Sequence, residues 1–121
     1  MPHLVLEYSI NLKDFSPQLA LARLNSALVD SGQFEGPDIK SRAFQLDCFQ
    51  IGNGSLESAG FAHVTLRLLS GRTPAVKKEL SNALLDALTS ACTPSVLGIE
   101  GLQLSIDVCD LEREFYSKRA T

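Results

Sequence analysis

Pro2 is the residue of this chain whose chemistry depends most on its position. If Met1 is removed, the Pro2 nitrogen becomes a free secondary amine that can take up a proton, whereas the same nitrogen in a peptide bond cannot. The ring fixes the direction of that amine, and neighbouring cations would lower its pKa toward neutrality. The sequence therefore predicts Pro2 as a general base. The alternative is a proline that merely begins a strand, so the prediction depends on nearby cations.

Three cations are predicted to bind an anionic substrate near this end of the chain. Lys40 and Arg42 lie two residues apart in a segment of strand-like composition, so their side chains share a face and can converge on one carboxylate. Arg72 directly precedes Thr73, the predicted start of a helix, where the helix dipole disfavours a cation unless an anion is bound. The alternative for all three is an ordinary solvated surface.

Two similar halves are predicted to position these residues. Four segments are rich in β-forming residues, namely 3–9, 39–49, 60–69 and 102–108. A helix opens in each half at Ser16-Pro17 and Thr73-Pro74, because each pair supplies an N-cap and a proline for the first turn. Pro17 and Pro74 are 57 residues apart. The predicted order is therefore β-α-β-β-α-β, in two pseudo-repeated halves over roughly 2–50 and 59–109.

The predicted four-stranded sheet has one covered face and one open face. Right-handed crossovers make the strands of each half parallel and place both helices on one face, giving an α+β architecture. Alternation leaves the other face with a mixed set of side chains: His3, Glu7, His63, Thr65, Arg67, Gln103 and Asp107. Such a face favours assembly of several subunits. Residues 111–121 are predicted to form an arm that reaches a neighbouring subunit, the alternative being a frayed terminus.

The composition predicts one soluble, cytoplasmic domain over residues 1–121. A content of 45% hydrophobic residues suffices for a buried core, and no segment has the pattern of a signal peptide or a membrane span. The net charge of −3 disfavours nucleic acid as a partner. The three cysteines are widely spaced, which indicates neither a zinc site nor a disulfide framework, and we predict buried thiols.

Four short motifs carry a resemblance to a known family. They are Pro2-His3 with Glu7 and Ser9, Ile39-Lys40-Ser41-Arg42, Phe61-x-His63-x-Thr65-Leu66, and Gly71-Arg72-Thr73. In their order and spacing the chain resembles, nearly end to end, the 5-carboxymethyl-2-hydroxymuconate isomerases, a branch of the tautomerase superfamily that works with an N-terminal proline. The resemblance implies a homotrimer, no metal or organic cofactor, and proton transfer in the degradation of aromatic compounds such as homoprotocatechuate.

The resemblance also implies roles for single residues. Pro2 would move a proton between carbons of an unsaturated hydroxy- or oxo-carboxylate such as 5-carboxymethyl-2-hydroxymuconate, a di- or tricarboxylate. Arg72 would bind a substrate carboxylate or stabilise developing negative charge. Lys40 stands where the family pattern has an arginine, so the charge is kept but the bidentate fork is lost. Arg42 would partly substitute for that fork.

Two other classes of function compete with this interpretation. The β-α-β-β-α-β order also occurs in ferredoxin-like RNA-binding domains, whose strand motif resembles residues 60–66. Ala59 stands where that motif needs a basic residue, however, and His63 replaces a stacking aromatic, so nucleic acid is not the predicted partner. The second alternative is a trimeric binding or structural protein that keeps the tautomerase fold and has lost the activity.

Overall fold

A computed structural model describes residues 1–121. The strands and helices follow one another in this order: β1 His3–Ser9, α1 Pro17–Asp30, a 3₁₀ turn Gly36–Asp38, β2 Lys40–Leu46, β3 Phe61–Leu69, α2 Pro74–Ser90, a short α3 Pro94–Leu97, β4 Gln103–Leu111 and a second 3₁₀ turn Arg113–Phe115. The predicted α+β architecture with its β-α-β-β-α-β order is confirmed, with α3 as an addition before the last strand.

The four strands form one mixed sheet in the order β2-β1-β3-β4. The β1–β2 and β3–β4 pairs are parallel, as predicted for the two halves, and β1 and β3 run antiparallel at the centre. His3 lies opposite Lys40 on one side and opposite Arg67 on the other. The starts of β1 and β2 and the ends of β3 and β4 therefore meet at the same edge of the sheet, which we call the amino-terminal edge.

Both helices begin as the Ser-Pro and Thr-Pro pairs predict. The Ser16 hydroxyl accepts the backbone N–H of Leu19, the Thr73 hydroxyl accepts that of Val76, and each bond is 3.2 Å long. A proline follows each cap in the first helical turn, where its missing N–H costs no hydrogen bond. The first turn of α2 is thus fixed directly after Arg72, which keeps that side chain at the amino-terminal edge.

The hydrophobic core lies between the helices and one face of the sheet. Nineteen buried residues form it, including Leu4 and Leu6 of β1, Leu24 and Leu28 of α1, and Leu84 and Leu88 of α2, all of them fully enclosed. Each such leucine contributes about 1.5–3 kcal/mol by leaving water. The opposite face carries the mixed set predicted from alternation, since the register places His3, Arg67 and their neighbours together there. The core thus holds the strands in a fixed register beneath that open face.

The end of β2 and the burial of two cysteines differ from the sequence-based expectations. Strand β2 ends at Leu46, not at residue 49, because its partner β1 ends at Ser9 and the last bond between them joins the Ile10 N–H to the Leu46 carbonyl. The following residues, 47–60, form turns and bends. Of the three cysteines predicted to be buried, only Cys92 is; Cys48 is exposed in this loop and Cys109 is half-buried on the open face.

No helix has the length and apolar character needed to cross a membrane.

Candidate active site at the amino-terminal edge

The start of the chain is held in place by backbone hydrogen bonds. The Pro2 carbonyl accepts the N–H of Lys40 at 3.1 Å, which extends the β1–β2 pairing to the residue before β1. The Met1 ammonium donates to the Asp38 carbonyl at 2.9 Å, and Pro2 is fully buried beneath it. The direction of the Pro2 ring is thus fixed by the sheet itself, as a positioned amine requires.

A cleft of about 430 Å³ opens at this edge. We call it the amino-terminal cleft, and it is lined by Met1, Gln33, Phe34, Glu35, Asp38, Leu69, Arg72, Tyr116 and Lys118. Its volume falls within the range of about 300–1,000 Å³ that is typical of small-molecule sites. A smaller cavity of about 180 Å³ lies between the end of α1 and α2 and has no cation in its lining. An anionic substrate is therefore better matched to the amino-terminal cleft.

Arg72 is fixed in the cleft by the loop after α1. Its Nε donates to the Gln33 side-chain oxygen at 3.1 Å, and Nη2 donates to the Gln33 carbonyl at 2.9 Å. The guanidinium also lies over the Phe34 ring, 4.6 Å from its centroid, where a cation is attracted by the π face. These contacts use only part of the five N–H donors of an arginine. Arg72 is therefore both a structural link and a pre-oriented cation for a ligand.

Lys40 and Arg42 share the open face but have different partners. The Lys40 ammonium donates to the Asp38 carbonyl at 2.9 Å, the same oxygen that accepts the Met1 ammonium. The Lys40 ammonium and the amino terminus thus share one hydrogen-bond acceptor. The Arg42 guanidinium instead approaches Nδ1 of His3 at 3.3 Å, and Arg42 does not line the cleft. Within the subunit, the edge brings together Pro2, Lys40 and Arg72, and Arg42 reaches it only through His3.

The electrostatics of the cleft disfavour a charged amine. Burial lowers the pKa of the Met1 amine below its ordinary value, and the Lys40 cation lowers it further. Asp38 opposes this effect, while Lys118 and Arg72 add to it. The physical cause is that a partly desolvated ammonium among cations loses both hydration and favourable charge interactions. An amine at this edge therefore has a lower pKa than an ordinary amino terminus.

Tyr116 and Lys118 complete the cleft, and neither was predicted from the sequence. They belong to the C-terminal segment, residues 112–121, which returns across the amino-terminal edge of its own subunit. Its anchors are the Arg113 guanidinium bonded to the Ser70 carbonyl at 2.7 Å, the Tyr116 hydroxyl 3.0 Å from Nε2 of His3, and Lys118 at 3.4 Å from Asp38. Only the strand directions could have indicated this, because they place the end of β4 at the same edge of the sheet as the start of β1.

The chain offers no evident metal centre. No group of three or more His, Cys, Asp or Glu side chains is arranged to hold a metal ion. His63 pairs with the Ser105 hydroxyl at 2.7 Å on the open face, and it lines a different depression from the amino-terminal cleft. The groups available for chemistry in the cleft are therefore an amine, the Arg72 and Lys118 cations, two carboxylates and a phenol, with Lys40 beside the amino terminus.

Comparison with known proteins defines first the class and then the family. The structure superposes on tautomerase-fold proteins, including one described as a Q0 fused 4-OT wild type symmetric trimer, with a TM-score of 0.74, 20% identity, and coverage of 96% of this chain and 90% of that chain. The fold is therefore the tautomerase fold. The family model for 5-carboxymethyl-2-hydroxymuconate isomerase matches residues 2–121, and the chain belongs to that family.

Individual relatives agree with the family assignment. A crystal structure of a 5-carboxymethyl-2-hydroxymuconate isomerase from Deinococcus radiodurans R1 superposes with a TM-score of 0.90 and 30% identity, covering 99% of this chain and 90% of that one. The 5-carboxymethyl-2-hydroxymuconate Delta-isomerase of Escherichia coli is 28% identical over 89 residues, which are 73% of this chain and 70% of the relative. The protein is accordingly an enzyme of the isomerase class.

Proposed function

We propose that this protein is a cofactor-independent isomerase in which Pro2, freed by removal of Met1, is the general base. The substrate class is an unsaturated hydroxy- or oxo-di- or tricarboxylate such as 5-carboxymethyl-2-hydroxymuconate, the compound in the family's name. The observation that carries the proposal is the start of the chain, which is fixed in a cleft and surrounded by Lys40, Arg72 and Lys118.

The position of Pro2 supports its role as the base. Met1 lines the cleft and is the residue before Pro2, so removal of Met1 would make the Pro2 nitrogen the amine at this end of the chain. The cations that lower the pKa of the Met1 amine would act on the Pro2 amine in the same way. A base is most effective when its pKa is near the working pH, and such a group contributes about 10²–10⁴-fold to the rate.

The cations support a substrate with more than one carboxylate. Arg72 and Lys118 both line the cleft, and Lys40 lies beside the amino terminus. Arg72 is pre-oriented by Gln33, which reduces the entropy lost when it binds a carboxylate in a bidentate manner. Negative charge that develops on the reacting oxygen is stabilised by the same groups. Binding of substrate carboxylates and stabilisation of an enolate would thus occur in one place.

The proposal extends to assembly and setting. A homotrimer would cover the open face of the sheet, whose mixed side chains are half-buried or exposed in one subunit, and a structural relative is described as a symmetric trimer. Residues 112–121 lie on their own subunit through Arg113, Tyr116 and Lys118, so the predicted arm would contact a neighbour with its outer side. We place the reaction in the cytoplasmic degradation of aromatic compounds such as homoprotocatechuate, on the basis of the family resemblance.

Two measurements test the proposed function. Intact-mass analysis of purified protein is expected to show loss of Met1, because the small second residue permits its removal. An ultraviolet assay of enol ketonisation is expected to show turnover of 5-carboxymethyl-2-hydroxymuconate without added metal or cofactor. Full turnover by protein that retains Met1 would contradict the role of Pro2. Processed trimers that bind the substrate without turnover would identify a protein that has kept the fold and lost the activity.

A further inference from the structure

We propose that Tyr116 is a further catalytic residue, whose hydroxyl donates a hydrogen bond to the oxygen of the substrate on which negative charge develops, and that His3 and Arg42 are its positioning residues. This inference rests on the proposed isomerase function of the same cleft. The inference gives a role to Tyr116, which belongs to the C-terminal segment and to none of the four sequence motifs.

The geometry places the Tyr116 hydroxyl where it can meet a substrate. Tyr116 lines the amino-terminal cleft together with Met1 and Arg72. Its hydroxyl lies 3.0 Å from Nε2 of His3, the first residue of β1, and its ring meets the His3 ring edge-on with centroids 6.1 Å apart. A substrate in contact with Arg72 and the amino terminus would therefore share the cleft with this phenol.

The contact between Arg42 and His3 fixes which atom donates to which. A guanidinium has only donors, so the approach of Arg42 Nη1 to Nδ1 of His3 at 3.3 Å requires Nδ1 to accept. The neutral His3 ring then carries its proton on Nε2 and donates it to the Tyr116 oxygen. With that oxygen accepting from His3, the proton of the phenol is left to donate elsewhere, and the open side is the cleft.

The surroundings of His3 keep its ring neutral, as this arrangement requires. Burial lowers the pKa of His3, and Arg42 on β2 lowers it further. The amino terminus, Lys40 on β2 and Arg67 on β3 act in the same direction. The phenol of Tyr116, from the C-terminal segment, is the remaining titratable group in contact with the ring. All the charged groups that shift the pKa of His3 are cations, and they disfavour an imidazolium.

The proposed reaction balances without any other reactant. The base removes a proton, either from the enol oxygen of a hydroxy substrate or from a carbon conjugated with the carbonyl of an oxo substrate. In both cases the electron pair of the broken bond leaves an enolate with negative charge on oxygen. A hydrogen bond from the Tyr116 hydroxyl stabilises that oxygen while the phenol keeps its proton. The protonated base then delivers the proton to a carbon of the enolate, and the product has a carbon–oxygen double bond at the former enolate oxygen. One proton has moved, and nothing has been oxidised or reduced.

The competing explanation is that Tyr116 only fastens the C-terminal segment. That segment has two further anchors, Arg113 on Ser70 and Lys118 on Asp38. The Tyr116→Phe variant keeps the ring that packs on His3 and removes only the hydroxyl, so a fastening role predicts little change in activity. The proposal instead predicts a fall in kcat of about 10²-fold with KM changed only a few-fold, since one donor to a developing oxyanion contributes about that much.

The chain offers a matched control in its only other tyrosine. The Tyr8 hydroxyl donates to the Gln45 side chain at 3.3 Å, and the ring is buried against Phe15, away from the cleft. Tyr8→Phe loses the same group from a similar hydrogen bond and is expected to keep the kcat of the wild-type enzyme. Melting temperatures and oligomeric states of both variants verify that each one is folded.

A double-mutant cycle tests the positioning residues. His3→Phe keeps an aromatic ring and removes both nitrogens, and it is expected to lower kcat in the wild-type background but to add almost nothing to Tyr116→Phe. Arg42→Met is expected to behave in the same non-additive way with a smaller effect. Effects that multiply independently would assign these residues to another role.

The outcomes separate this inference from the proposed function. If wild-type enzyme is active and Tyr116→Phe retains its kcat, the role of Tyr116 is wrong and the isomerase function stands. If processed wild-type enzyme is inactive, both proposals are wrong. A fall in kcat with Tyr116→Phe but not with Tyr8→Phe supports the inference.

Discussion

The two halves of the sheet begin with the same backbone contact and different side chains. In the first half, the Pro2 carbonyl accepts the N–H of Lys40 at 3.1 Å; in the second, the Gly60 carbonyl accepts the N–H of Gln103 at 3.0 Å. Both Pro2 and Gly60 are buried. Because β1 and β3 are antiparallel, the two contacts lie at opposite edges of the sheet.

The space beside Gly60 is filled by side chains, whereas the edge near Pro2 opens into the amino-terminal cleft. At Gly60 the Asn11 side chain donates to the Ala59 carbonyl at 2.8 Å, and the space beside the glycine is filled by Leu12. At this corner the Ser95 hydroxyl donates a hydrogen bond to the Asp14 carboxylate at 2.6 Å. In the amino-terminal cleft, by contrast, Arg72 donates to the Gln33 carbonyl. The two halves of the fold thus share the same backbone arrangement, and only the first half combines it with a chain terminus and cations.

Pro2→Ala is the strongest test of this asymmetry. The variant is expected to fold and assemble normally but to lose about 10²–10⁴-fold in kcat, because the rigid secondary amine is replaced by a more mobile primary amine. Steady-state kinetics and a melting curve measure the two properties. The control is the matching position of the second half, where Gly60→Ala should leave the kcat of folded protein unchanged. Near-normal turnover by Pro2→Ala would remove Pro2 from its role.

Arg72→Ala is expected to have the next largest effect on activity. Loss of charge-assisted hydrogen bonds to a substrate carboxylate should lower kcat/KM by about 10- to 100-fold. Arg72→Lys keeps the charge but not the fork, so its loss should be smaller. Asp14→Ala, at the corresponding corner of the other edge, serves as the control and should keep the kcat/KM of the wild type. Equal losses in Arg72→Ala and Asp14→Ala would point to a general loss of stability instead.

Gly60→Ala should reduce stability because the second edge is closely packed. A Cβ at this position would lie 2.7 Å from Leu12 Cδ2 and 3.0 Å from the Asn11 side-chain oxygen, and Leu12 is itself buried. We expect a loss of about 1–2 kcal/mol in the free energy of unfolding, after the small gain from a less flexible unfolded chain. Chemical denaturation measures it. An unchanged midpoint would show that this edge is looser than its contacts indicate.

Lys40→Met should shift the pH profile of the enzyme. A cation beside an amine disfavours the ammonium and lowers its pKa, so removal of Lys40 should raise that pKa. The base works when neutral, so the acidic limb of kcat/KM should move to higher pH and activity at neutral pH should fall. Lys40→Arg keeps the charge and is the control, with a limb close to that of the wild type. The limb position in both variants is read from rates between about pH 5 and pH 9. An unchanged acidic limb in Lys40→Met would show that Lys40 does not affect the pKa of the base.

Much of the fold was predictable because its signals are local. The pairs Ser16-Pro17 and Thr73-Pro74 mark helix starts by their own hydrogen bonds, and alternation along the strands separates the core face from the open face. The end of β2 was not predictable in the same way. Strand β2 ends at Leu46 because β1 provides no further hydrogen-bonding partners beyond that point. Strand composition continues to Phe49, whereas pairing does not.

The sequence by itself determined the β-α-β-β-α-β order, the position of Pro2 at the start of a strand, and the presence of cations at residues 40, 42 and 72. Only the tertiary structure decided that Arg42 contacts His3, that Arg72 is held by Gln33, and that Tyr116 and Lys118 enter the cleft. The physical reason is the distance along the chain. His3 and Tyr116 are 113 residues apart, and no local pattern encodes a contact that exists only when strand register and direction bring both ends of the chain to one edge.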